Sequence, residues 1–143
     1  MRHRCHVLAA PTANVFELQH HFCLEVPRQD DNVVGFFLLE AKRQGKTVAA
    51  YGAAAKGNTL MNYAGIRPDL ISFVVDRNPA KQGKYMPGSR IPIVDEPRLQ
   101  QEKPDYVVIL PWNLKAEVML QLEYVRAWGG RFVTAVPELR IAP

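Results

Sequence analysis

The chain has 143 residues, a length that suits one domain with a sizeable hydrophobic core. Hydrophobic residues make up 48% and charged residues 22%, which is the composition of an ordinary globular protein. The net charge of +4 is compatible with an anionic small ligand and too small to indicate a nucleic-acid partner. No run of roughly 18 apolar residues is present, so the sequence predicts no membrane span.

The first 31 residues show no clean period and are predicted to be an irregular leader, with a short helix or an artificial start as alternatives. This segment contains every cysteine and histidine of the chain: His3, Cys5, His6, His20, His21 and Cys23. Their spacing fits no paired zinc-ligand arms, so we expect no metal site. Two cysteines do not make a disulfide framework, and a cytoplasmic location is the expectation.

From residue 32 onward, helical and strand patterns alternate. A helix is predicted from Asn32 to the stop at Gly45, with an apolar face whose uncovered part near residues 33–39 could support a homo-oligomer. Further helices are predicted after Gly52, at residues 96–103 and, longest of all, at residues 114–128. Nearly continuous apolar runs predict strands at residues 47–51, 71–75, 91–94, 106–110 and 131–136. The order implies an α/β fold, a Rossmann-like open and mainly parallel sheet of about five strands with helices on both faces.

The stretch at residues 47–65 has the strand, glycine turn and helix that open a nucleotide-binding βαβ unit. Its turn reads G-x-A-x-x-G from Gly52 to Gly57, with Ala54 where the dinucleotide fingerprint has its second glycine. A methyl group at Ala54 hinders close approach of a pyrophosphate, whereas the helix N-terminus and Lys56 favour phosphate. The alternative is that these small residues serve only to pack the helix close to the sheet.

Other candidate ligand contacts follow the predicted strands, where such sheets bind ligands. Asp76 stands where dinucleotide enzymes place a ribose-binding acid, and equally where an aspartate would cap the turn at Asn78. Trp112 could stack on a base or line the core, and Asn113 is more readily the N-cap of the long helix than a ligand contact. The complete candidate set is Gly52, Ala54, Lys56, Gly57, Asn58, Thr59, Asp76, Asn78, Lys81, Pro111, Trp112 and Asn113. No catalytic residue is predicted, because no nucleophile, base or carboxylate pair can be placed in one cleft.

Several short motifs occur together in a fixed order. They are Gly52-Ala-Ala-Ala-Lys-Gly-Asn-Thr59, Phe73-Val-Val-Asp-Arg-Asn-Pro79, Lys81-Gln-Gly83, Met86-Pro-Gly88, Ile91-Pro-Ile93, Pro104-Asp-Tyr106 and Leu110-Pro-Trp-Asn113. In this order the motifs closely resemble the C-terminal domain of bacterial SAM-dependent sugar C-methyltransferases, over residues 32–141. Residues 1–31 do not share the resemblance.

The resemblance implies a three-part enzyme that methylates a ring carbon of a nucleotide-linked keto-deoxysugar, with deoxythymidine diphosphate as the expected nucleotide. In that family a zinc-binding N-terminal domain and a central SAM-binding domain precede this end domain. By the resemblance, SAM and the base that abstracts a proton beside the ketone belong to the central domain. This chain is then expected to orient the nucleotide-sugar, to bind no SAM and to need the absent central domain as its partner. The alternatives are an NAD(P)- or CoA-binding module and a structural or oligomerisation module.

Overall fold

The computed structural model describes residues 32–143, which lie within one compact unit. The predicted short helix and the cysteines and histidines of the leader lie outside the described residues. The helices are α1 (Val33–Arg43), α2 (Ala55–Tyr63), α3 (Glu96–Glu102) and α4 (Lys115–Gln121), with 3₁₀-helices at Trp112–Leu114 and Glu123–Trp128. The strands are β1 (Val48–Tyr51), β2 (Val74–Val75), β3 (Ile93–Val94), β4 (Tyr106–Ile109), β5 (Arg131–Thr134) and β6 (Arg140–Ala142).

The strands form one sheet in the order β3-β2-β1-β4-β5-β6. The first five strands run parallel, as the alternating pattern predicts, with Ala50 of β1 paired to Val74 on one side and Val108 on the other. The α/β class is therefore confirmed. Beyond the five predicted strands, a sixth strand, β6, runs antiparallel to β5.

Two hydrophobic clusters cover the two faces of the sheet. On one face Phe37 and Leu38 of α1 and Met61 of α2 pack against side chains of the central strands. These include Ala50 of β1 and Val108 of β4. On the other face Leu99 of α3, with Val118, Leu122 and Val125, packs against neighbours such as Tyr51 and Val107. Alternation along each strand sends successive side chains to opposite clusters, which is why both faces need helices.

The apolar face of α1 is not free for a second copy of the chain. Val34, Phe37 and Leu38 are buried against the sheet, whereas Leu39 is 47% exposed. The prediction that the face near residues 33–39 is uncovered was therefore wrong. The helical pattern marked the apolar residues, but which of them face the sheet depends on the rotation of the helix about its axis.

The long helix predicted at residues 114–128 is divided into an α-helix and a 3₁₀-helix. The α-helical part ends at Gln121, and a 3₁₀-helix runs from Glu123 to Trp128. Leu122 and Val125 are both fully buried, and their spacing of three matches the three residues per turn of a 3₁₀-helix. Packing of these two side chains on the sheet thus replaces the α-helical continuation that the sequence pattern predicts.

Candidate functional site

The candidate residues lie on the segments that follow β1, β2 and β4, at the carboxyl edge of the sheet. Strands β1 and β4 are neighbours at the centre of the sheet. Strands β2 and β3 follow outward on the side of β1, and strands β5 and β6 follow outward on the side of β4. This is the switch point at which open parallel sheets bind ligands. The segments that follow β1, β2 and β4 are in contact there: Ala53 bonds to Asp76, and Gly52 packs on Pro111.

Both glycines of the turn have a packing reason to be glycine. Gly52 has a φ of +92°, and a methyl group on it would lie 2.6 Å from Cδ of Pro111. A methyl group on Gly57 would lie 2.6 Å from Cβ of Leu110, so Gly57 brings α2 close to β4. The third-glycine role of the nucleotide fingerprint, close helix–strand packing, is therefore present here.

The N-terminus of α2 has no side-chain cap. Ala54 occupies the N-cap position in an extended conformation, and the first helical bond is the one from the Asn58 N–H to the Ala54 carbonyl, at 2.9 Å. The backbone N–H groups at residues 55–57 precede that bond and face away from the helix body. Together with the positive end of the helix dipole, they form a place that attracts an anion.

The side chains at the start of α2 differ in their surroundings. Lys56 is exposed and, in the described part of the chain, makes no ion pair. Thr59 donates its hydroxyl to the Ala55 carbonyl at 3.1 Å, so its side chain serves the helix itself. The Oδ1 atom of Asn58 is buried and has no hydrogen-bond partner among residues 32–143.

Asp76 is bonded to the protein through both of its carboxylate oxygens. Oδ2 accepts the backbone N–H of Ala53 at 2.8 Å and the ammonium of Lys81 at 3.2 Å, and Oδ1 accepts the backbone N–H of Asn78 at 2.8 Å. Lys81 also donates to the carbonyl of Ala53 at 2.9 Å. The turn-capping interpretation of Asp76 is therefore the one that the contacts support.

The segment after β4 enters the edge as a 3₁₀-helix. Pro111 and Trp112 are half-buried, and Asn113 is exposed. The prediction that Asn113 caps the following helix was wrong, because Leu114 occupies the N-cap position of α4 and no side chain caps it. Trp128 donates its indole N–H to the carbonyl of Pro104 at 3.0 Å, next to the start of β4, so it lies at the opposite, amino edge.

A polar cluster beside this edge was not predicted. Gln121 donates to the hydroxyl of Tyr51 at 2.7 Å, and Tyr124 donates its hydroxyl to Glu96 at 3.0 Å, while Arg77 lies 3.6 Å from the same carboxylate. Burial raises the pKa of Tyr51, and burial together with the bond to Glu96 raises the pKa of Tyr124. The residues come from four separate segments, so no local sequence pattern announces the cluster.

Within residues 32–143 no group of acidic, cysteine or histidine side chains is arranged to hold a metal ion. The same part of the chain contains no helix that is long and apolar enough to cross a membrane.

Comparison with known proteins identifies the class to which this architecture belongs. A family model described as "C-methyltransferase C-terminal domain" matches residues 12–137. The chain therefore belongs to the C-methyltransferase C-terminal domain family, as the resemblance indicates. The match begins within the segment predicted to be a leader, and where the domain starts stays a prediction.

A particular relative is the C-methyltransferase NovU from Streptomyces niveus. The two sequences are 41% identical over 97 residues, which amount to 68% of this chain and 23% of the relative. The matched segment thus spans about a quarter of that longer enzyme.

Proposed function

We propose that this chain is the nucleotide-sugar-binding end domain of a SAM-dependent sugar C-methyltransferase. It binds a nucleotide-linked keto-deoxysugar, with deoxythymidine diphosphate as the expected carrier, at the carboxyl edge of the sheet. The observation that carries the proposal is the N-terminus of α2, which no side chain caps and which has the exposed Lys56 beside it. This helix start lies at the switch point of the sheet, in a chain that belongs to the C-methyltransferase C-terminal domain family. We place the protein in the cytoplasm, where nucleotide-sugars are made.

The contribution of this chain to the reaction is binding and orientation. The amide groups at residues 55–57 and the ammonium of Lys56 compensate the charge of the diphosphate. Holding the nucleotide fixes the position of the sugar ring, and fixed geometry lowers the barrier of a reaction between two bound groups. The base that removes the proton beside the ketone lies in the central methyltransferase domain of the full-length enzyme.

When bound to the full-length enzyme, SAM supplies the methyl group. The residues at the edge described here do not fit the adenosine of SAM. Its ribose would need a free acid at the end of β2, and the oxygens of Asp76 are already bonded to Ala53, Asn78 and Lys81. SAM is therefore assigned to the separate domain, which is the partner that this chain needs.

Calorimetric titration of the 143-residue chain with thymidine diphosphate and with SAM tests the proposal. We expect binding heat with the nucleotide, none with SAM, and no methyl transfer by the chain alone. Micromolar binding of SAM would refute the division of labour between the domains.

A variant at the proposed phosphate site sharpens the titration. Lys56→Ala should weaken thymidine diphosphate binding by about 1–2 kcal/mol, roughly 5- to 30-fold. The matched control is Lys42→Ala, since Lys42 is an exposed lysine in the last turn of α1, ion-paired with Asp69. Equal affinities of the two variants would show that Lys56 is only a surface lysine.

A structural module is the second candidate, and a specific observation favours it. The contacts of Gly52 with Pro111 and of Gly57 with Leu110 account for both glycines without a ligand. If the chain binds no pyrimidine nucleotide or nucleotide-sugar, either the domain is structural or its site is completed by the central domain. Titration of the full-length enzyme and of its Lys56→Ala variant separates these two outcomes.

A further inference from the structure

The backbone of Ala53 is held on both sides by one pair of charged side chains. Its N–H donates to Oδ2 of Asp76 at 2.8 Å, and its carbonyl accepts the ammonium of Lys81 at 2.9 Å. The two side chains are also bonded to each other at 3.2 Å. Ala53 stands between Gly52, whose φ is +92°, and Ala54, the N-cap of α2. The pair therefore fixes the residue through which the turn enters the helix.

The loop that carries Lys81 is itself organised around Asp76. Asn78 donates its N–H to Asp76, and its own Oδ1 accepts the N–H of Ala80 at 3.0 Å. Gln82 donates to the carbonyl of Asp76 at 2.9 Å. These bonds fold the loop back so that the Lys81 ammonium reaches the glycine turn.

The carboxylate of Asp76 is largely buried and bonds to protein groups rather than to solvent. The side chain of Asp76 is 13% exposed, against 40% for Lys81. A carboxylate has about four acceptor positions, and three protein donors already occupy positions on Asp76. A ribose hydroxyl that used Oδ2 would have to displace the N–H of Ala53 or the ammonium of Lys81.

We infer that Asp76 and Lys81 are positioning residues that set the geometry of the phosphate-binding turn through Ala53, and that Asp76 does not bond the 2′-hydroxyl of a ribonucleotide offered to the site. This inference rests on the proposed function, because it concerns the same site. It predicts a site that accepts 2′-deoxynucleotides as well as ribonucleotides.

The first experiment compares deoxyuridine diphosphate with uridine diphosphate, which differ only in the 2′-hydroxyl. The parent chain should bind the two within about threefold, since a site built to bond a hydroxyl would reject the deoxy form far more strongly. Asp76→Asn should weaken both nucleotides by the same factor. Uridine diphosphate binding more than about tenfold tighter, with the preference lost in Asp76→Asn, would overturn the inference.

The second experiment measures the turn without any ligand, by hydrogen exchange of the Ala53 amide. Both Asp76→Asn and Lys81→Met should raise its exchange rate by about tenfold or more, because the turn opens more often. Lys84→Met is the matched control: it removes one positive charge from the same loop, and the Lys84 side chain is exposed. Its exchange rate should stay at the parental value.

The two readouts separate failure of this inference from failure of the proposed function. If the parent binds neither nucleotide, the proposed function fails for the isolated chain, and the exchange rates alone decide whether the pair holds the turn. If Ala53 exchange in Lys81→Met equals that in Lys84→Met, the pair is not a positioning device, whatever the nucleotide affinity. Should Asp76→Asn fail to fold, Lys81→Met still gives this comparison.

Discussion

Asp105 and Asp76 lie at opposite edges of the sheet and make similar bonds at the two ends of β1. Asp105 accepts the backbone N–H of Thr47 at 2.8 Å and its hydroxyl at 3.1 Å, and Lys46 lies 3.7 Å away. Asp76 accepts the backbone N–H of Ala53 at 2.8 Å and pairs with Lys81. Each carboxylate ties the segment beside β1 to a neighbouring strand end.

The two edges differ in the segment that follows the bonded backbone N–H. At the amino edge β1 begins directly after Thr47. At the carboxyl edge the fixed turn leads into α2, whose first N–H groups have no carbonyl one turn behind them. The comparison teaches that an acid at a strand end does not by itself mark a ligand site. The proposed phosphate site rests instead on the start of α2, which no side chain caps.

The largest expected effect concerns a glycine at each edge. Gly52→Ala should lower the free energy of unfolding by about 2–4 kcal/mol, because it combines left-handed backbone strain with a clash against Pro111. Gly45 also has a positive φ, +71°, but a methyl group there meets nothing within 4 Å. Gly45→Ala should therefore lose only about 1 kcal/mol of strain. Urea denaturation measures both values.

A second substitution tests whether Pro111 causes the larger stability loss expected for Gly52→Ala. In a Pro111→Ala background the ring atoms that Gly52→Ala would meet are gone. The cost of Gly52→Ala should then fall towards that of Gly45→Ala. Equal costs of the two glycine substitutions in the parent chain would contradict the close contact at the carboxyl edge.

The second prediction compares the two tryptophans, one at each edge. Stacking of a nucleotide base on Trp112 would contribute about 1–3 kcal/mol, so Trp112→Ala should weaken thymidine diphosphate binding by that amount. The nucleotide should change the fluorescence of the parent and of Trp128→Phe, but not that of Trp112→Phe. Unchanged Trp112 emission at saturating nucleotide, in the presence of binding heat, would place the base elsewhere.

The smallest expected effect is the pH dependence contributed by Asp105. The backbone N–H of Thr47, above all, holds the pKa of Asp105 below its ordinary value. A carboxyl group with a lowered pKa stabilises the folded state at pH values above about 4, its unfolded pKa, and this stability is lost as the pH falls through the folded pKa. Because the side chain is 42% exposed, solvent screening limits the contribution to about 1 kcal/mol or less.

Asp105→Asn should accordingly flatten the dependence of unfolding free energy on pH between about pH 5 and pH 2, measured by denaturation at each pH. Asp69→Asn is the control. Asp69 is exposed and pairs with Lys42, and the hydrogen bond from Lys42 lowers the pKa of Asp69 as well. A larger effect at Asp69 than at Asp105 would show that the bond to the Thr47 backbone adds nothing beyond a surface ion pair.

The sequence alone determined the alternation of the first five strands with helices and the place of the glycine turn. The apolar run at residues 106–110 is short and rich in β-branched residues, which predicts a buried strand, and the glycines at positions 52 and 57 mark the turn after β1. The motif order also led to the family that the comparisons confirm. These features are local, or depend only on the order of local features along the chain. They can therefore be predicted from the sequence.

The tertiary structure decided which side chains meet. It divided the helix at residues 114–128, turned Leu39 to the solvent and brought Tyr51 to Gln121 across 70 positions of sequence. It also brought Asp76 to the N–H of Ala53, a contact that the sequence does not reveal, because a strand-terminal acid looks the same in sequence whatever it faces. Such contacts depend on the rotation of helices and the approach of loops from distant segments, which packing fixes and local residue patterns do not encode.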